Sequence, residues 1–143
     1  MTRLRFDIRI ERNLIPQVSR NTKNVVKKSV RTIAQDLART ASGAAPHLTG
    51  DLESSWSIEY QLSADRMTAT VEFAVFKGGF NYAIAMHEWT YNLGEGSRAK
   101  AGGTGMSGRS YAVGRKFLTR VLEGEAEAYK DYIAEQIRQQ LGG

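Results

Sequence analysis

Cysteine is absent from the 143 residues, and histidine and proline occur only twice each. The missing thiols exclude disulfides, thiolate metal sites and a cysteine nucleophile. His87-Glu88 opens like an H-E-x-x-H zinc site, but position 91 is Tyr, and His47 stands at no metal-binding spacing from it. No apolar run approaches the about 20 residues that a membrane helix needs. The opening MTRLRFDIRIER alternates charged and apolar residues, unlike the apolar block of a secretory signal. No Ser-centred elbow or paired-carboxylate arrangement stands out. The expectation is therefore no catalytic residue, no cofactor-binding residue, no metal ligand and no membrane partner.

Charge is present, and it is unevenly spread. The net charge is +5, yet residues 1–44 carry ten Lys/Arg against three acids, and residues 45–92 carry two against six. Residues 93–116 carry five cations against Glu95 alone, and 117–143 carry three against five acids. Blocks of alternating sign suit a subunit that docks head to tail on its own kind, or a solvated surface with clustered charge.

The periodicities divide one domain, 1–143, into few elements. Residues 3–10 alternate strictly, with Leu4, Phe6, Ile8 and Ile10 on one side, so 1–12 reads as an N-terminal strand or arm. Asn13 to Pro16 interrupts it. Residues 17–44 read as a helix, with Val26, Val30, Ile33, Leu37 and Ala41 on its apolar face. Arg20, Lys23, Lys27 and Arg31 form a basic row along the neighbouring edge. Gly43 and Pro46 stop the helix, and Thr49-Gly50-Asp51 turns the chain. Residues 54–76 alternate twice around a short turn at Ala64-Asp65-Arg66 and predict a β-hairpin closed by Gly78-Gly79. Tyr82 to Tyr91 predicts a short, largely buried helix or turn. Residues 93–114 hold seven of the fourteen glycines and read as a long flexible loop. Residues 115–141 form a second long helix, with Phe117, Val121, Tyr129, Tyr132, Ile133, Ile137 and Leu141 as its buried stripe. The sum is an α+β fold: a three- to four-stranded antiparallel or mixed sheet packed by two long helices, with a Gly-rich loop. Trp56, Tyr60, Phe73, Ile33, Leu37, Phe117 and Val121 are expected to be buried together.

Within that loop, GGTGMSGRS contains G-x-G-x-x-G at Gly103, Gly105 and Gly108, and in another register all but the lysine of a phosphate-binding loop. A dinucleotide fingerprint needs a strand before it and a helix directly after it. SRAKAG is no strand, the helix begins several residues too late, and Arg109 stands where lysine is needed. The stretch predicts a partner-binding loop instead, with Arg98, Lys100, Arg109, Arg115 and Lys116 as its cations, mobile alone and ordered against a partner.

The order of features is more telling than any one of them. A basic amphipathic helix leads into APHLTGDLESS (residues 45–55), then come two strands, Tyr82-Ala83 and His87-Glu88, a Gly-rich segment, and Phe117-Leu118 heading the last helix. This resembles the tail-component family of long-tailed bacteriophages, also called tail-completion or head–tail joining proteins. That family shows an A-P-x-x-T-G-x-L-x-x-S turn, a Y-A-x-x-x-H-E segment and an aromatic-Leu pair opening the last helix. The likeness spans about residues 17–141 and makes Pro46, Thr49, Gly50, Tyr82, His87, Glu88, Phe117 and Leu118 the motif residues. Trp89 stands where the family commonly has glycine, and Lys116 where proline is common, implying a different turn and a looser approach to the last helix.

The resemblance implies a structural virion protein rather than an enzyme, without cofactor, assembled in the host cytoplasm into the phage neck. Its copies would form a ring, six-fold by the resemblance, between the head connector (an adaptor or stopper protein) and the tail tube or tail terminator, with DNA passing through the channel. A different class of function, a basic nucleic-acid-binding module using Arg20, Lys23, Lys27 and Arg31, is the alternative; it lacks a groove-reading motif.

Overall fold

The computed structural model describes residues 4–11, 20–63 and 66–141, with 6, 7, 9–11, 20 and 21 described by backbone alone. The break expected at 13–16, the helix start at 17–19, the hairpin turn at 64–65 and the closing 142–143 lie outside the described residues.

Three strands, β1 (Leu4–Glu11), β2 (Trp56–Leu62) and β3 (Arg66–Phe73), form an antiparallel sheet with β3 in the middle. Leu4 and Trp56 both lie opposite Phe73, and Ile8 and Tyr60 both lie opposite Ala69. Because strand side chains alternate, these rows share one face. Helix α1 (Arg20–Ala44) covers that face with Val30, Ile33, Leu37 and Ala41, all fully buried. Helix α4 (Phe117–Gln140) runs along α1, tied by the Tyr129 hydroxyl to Asp36 at 2.8 Å. Its first residue, Phe117, meets Phe73 edge-on at 5.4 Å. The fold is α+β, with two long helices against a small sheet.

Strand β2 departs from expectation. Trp56 and Tyr60 are only half-buried, and Leu62 is 58% exposed. β2 is an edge strand, and α1 lies over the sheet's middle, so the residues of β3 take most of the cover. Gly43 also serves differently from the expected stop: it lies inside α1, where a Cβ would meet the backbone of Gly102 and Gly103. Leu141 is exposed just beyond α4 rather than part of its buried stripe.

After β3 the chain makes a tight ribbon from β4 (Phe76–Lys77) and β5 (Phe80–Asn81). Gly78 and Gly79 at its tip both have positive φ, as two-residue hairpin turns require. They close this second hairpin, not the one formed by β2 and β3. Helix α2 (Tyr82–Glu88) follows, capped by the Asn81 side chain accepting from the Ala83 amide at 2.9 Å. It buries Ala83, Ala85 and His87, so the expected short helix is present, but it ends at Glu88, and Glu88, Trp89 and Thr90 are exposed rather than buried.

The Gly-rich stretch 93–114 is not a free loop. It contains a one-turn helix, α3 (Glu95–Arg98), and a ribbon of β6 (Gly103–Thr104) with β7 (Ser110–Tyr111). Gly103, Gly105 and Tyr111 are buried. Its glycines permit close approach: a Cβ on Gly103 would fall on the Thr40 carbonyl of α1, and one on Gly105 on the Glu125 side chain of α4.

Candidate functional site

Two carboxylates from the long helices hold the G-x-G-x-x-G stretch. Glu125, fully buried on α4, accepts from the Ser107 amide at 2.8 Å, from the Ser107 hydroxyl, and from the Tyr111 hydroxyl at 2.8 Å. Asp36 of α1 accepts from the Met106 amide at 3.1 Å. Gly124 leaves room for the Tyr111 ring. The amides that a nucleotide loop turns toward phosphate are thus turned toward the protein's own acids. Burial pushes the Glu125 carboxyl up, but the Ser107 and Tyr111 bonds outweigh it and hold it below its usual range. Burial and the Glu125 charge push the Tyr111 hydroxyl up to about 12.

A second cluster joins α2 to the head of α4. The His87 ring is 2% exposed, and its Nε2 faces the Thr119 amide at 3.3 Å. An amide can only donate, so Nε2 accepts and the ring proton sits on Nδ1, 2.9 Å from Glu88 Oε2. Burial keeps the ring below its usual pKa, against the pull of Glu88. The Lys116 amide donates to the His87 carbonyl at 2.8 Å, and its side chain pairs with Glu88. Arg115 donates to the Glu88 carbonyl at 3.2 Å, and the Phe117 ring stands edge-on to His87 at 5.1 Å. Lys116 sits at φ 58°, a left-handed conformation. Proline can neither adopt it nor donate that amide, so the lysine makes a pinned approach to α4 rather than the looser one expected.

A third cluster closes the far end of α1. Pro46 is buried beyond its last turn, and Gly50, at φ 91°, lets the TGD turn form while Thr49 stays exposed. Lys100 Nζ donates to the Ser42 carbonyl at 3.0 Å and the Ala45 carbonyl at 2.5 Å, and pairs with Glu53 at 3.0 Å. A cation at these orphan carbonyls completes the helix end. Glu53 also meets His47 Nδ1 at 2.6 Å, and Ser97 of α3 bonds the His47 backbone.

The five cations expected to act together therefore separate. Lys100, Arg115 and Lys116 bind groups of other elements, Arg98 reaches back to the Gly94 carbonyl at 3.5 Å, and Arg98, Arg109 and Arg115 are exposed. In the basic row, Lys23 and Arg31 are exposed and Lys27 is half-buried, with Arg31 resting over the Tyr60 ring at 4.8 Å. The Arg20 side chain lies outside the described residues. Tyr82 donates its amide to the Val75 carbonyl at 2.6 Å and has Lys77 over its ring at 5.3 Å. Leu118 is fully buried.

Sequence reasoning missed Glu125 and an exposed aromatic tip. Glu125 falls at the four-residue step between Val121 and Tyr129, an acid on an apolar stripe, which was the available signal. At the tip, Phe80 and Trp89 stack at 6.4 Å and are 48% and 60% exposed. Trp89 takes an extended backbone that does not require glycine. No protein-family profile, curated protein or solved structure matches the chain.

Proposed function

We propose that the chain is a structural subunit of a phage neck, repeated as a ring between the head connector and the tail tube. One observation carries the reading. The segments that bear the resemblance are distant in sequence, yet each is tied to its neighbours by side chains that serve the fold. His87-Glu88 fastens the head of α4 beneath Phe117, and the turn at 46–53 fastens the end of α1 through Lys100. Motif residues spent in this way make a rigid subunit, and assembly rather than turnover is what a rigid subunit with projecting aromatics offers. Phe80 and Trp89 form the apolar tip that an adjoining adaptor, stopper or tail-terminator ring would cover. The work is done in the virion after assembly in the host cytoplasm, with DNA passing through the channel.

The test is electron microscopy of particles carrying a tagged copy of the chain, alongside particles made without it. The reading expects tag density at the neck, and full heads and finished tails left unjoined when the chain is missing. Joined, infectious particles without the chain would overturn it.

A further inference from the structure

The two long helices carry charged ridges of opposite sign and equal pitch. On α1, Lys23, Lys27, Arg31 and Arg39 fall on one four-residue ridge, interrupted only by Gln35. On α4, Glu123, Glu127, Asp131 and Glu135 fall on another, and all four are exposed. Four residues rise about 6 Å along a helix, so successive charges match in spacing. Ridges of this kind interdigitate when helices cross at about −50°.

The ridges cannot meet within one copy. Arg31 over Tyr60 places the basic ridge on the β2 side of α1, whereas α4 lies against the side bearing Asp36. The acidic ridge in turn points away from α4's buried stripe of Val121, Glu125, Tyr129 and Ile133. Local pairing leaves charge over. Glu127 has Lys130 at 3.6 Å and Glu135 has Arg138, but Glu123, Asp131, Lys23 and Lys27 form no ion pair among the described residues.

From this juxtaposition we propose that the basic ridge of α1 docks on the acidic ridge of α4 in a second copy of the same chain. The two surfaces differ, so the contact is heterologous: it repeats in one direction and ends only by closing a ring. It draws on the proposed function solely for the premise that copies of the chain meet. Exposed ion pairs of this type set orientation and encounter rate, and salt screens them.

Sedimentation of the purified chain, at low salt and at about 0.5 M salt, tests the contact. The wild type should associate at low salt and dissociate at high salt. The double reversals Lys23→Glu with Lys27→Glu, and Glu127→Lys with Asp131→Lys, should each weaken association by about tenfold or more. Combining all four changes in one chain should restore it. Because the chain has no cysteine, Lys27→Cys mixed with Asp131→Cys gives an independent readout, a disulfide-linked dimer that neither variant forms alone. A chain that stays monomeric and fails to cross-link overturns the proposal. So does a basic-ridge reversal that spares self-association but abolishes salt-dependent binding to duplex DNA, which would make the ridge a phosphate contact. Loss of the neck assignment with these results intact would leave the contact standing.

Discussion

Glu125 occupies a place where helix periodicity asks for an apolar side chain. Its carboxylate is tolerated in the core because three donors meet it, and an acid so satisfied fixes the segment that supplies the donors. Glu125→Ala would leave the Ser107 amide and Tyr111 hydroxyl without their acceptor, at a cost of about 2–4 kcal/mol. Urea unfolding measures this, and a loss under about 1 kcal/mol would mean that water replaces the carboxylate freely. His87 and Glu125 also set the response to acid. His87 is held below its usual 6.5 by burial, so the unfolded chain takes up that proton first. Its contribution is complete above about pH 6.5 and fades as pH falls from there. Burial raises the Glu125 carboxyl and the Ser107 bonds more than reverse this, leaving it below its usual 4.5. Its contribution is complete above that value and is lost as pH falls further. Unfolding free energy followed from about pH 8 to about pH 2 should therefore drop in two stages, and His87→Gln should remove the first. A wild-type profile that is level down to about pH 5 would contradict this placement of the His87 proton.

Among the elements, the Gly-rich segment shows where sequence reading stops. Glycine marks both flexible chain and chain pressed too closely for a side chain, and composition does not separate the two. What separates them here is the partner surface on α1 and α4, which no local pattern specifies. Gly103→Ala should be the most damaging of the alanine substitutions, because its Cβ would fall on backbone atoms of Thr40. Gly78→Ala meets open space and bears only the left-handed conformation, about 1 kcal/mol. Thermal melts of both variants compare them; equal shifts would show that the ribbon lifts off α1 without strain. The long helices and the alternating strands, by contrast, were legible, since each buries a face whose period is local. The hydrogen bonds that tie His87 to Lys116 and Thr119 were not legible, because they connect residues some thirty positions apart.

For the molecule as a whole, the predicted core holds at its centre and thins at the β2 edge. Ile33 and Leu37 are fully buried between sheet and helix, and truncating either to Ala should cost about 2–5 kcal/mol. A loss well under about 1 kcal/mol at both would mean that α1 turns another face inward. The half-burial of Trp56 and Tyr60 escaped the sequence because alternation reveals which residues share a face, not how far a helix extends across it. Strand order has a further bearing, on time. The N-terminal strand β1 pairs only with β3, whose register with it runs from Arg66 to Phe73. β1 therefore has no complete partner until the chain has been made through Phe73, and Phe73 then waits for Phe117 to emerge. Chains closed by such distant pairings fold slowly. Throughout that interval the apolar face of α1 lacks its final cover, and transiently exposed apolar surface of this kind is where a chain is most prone to aggregate.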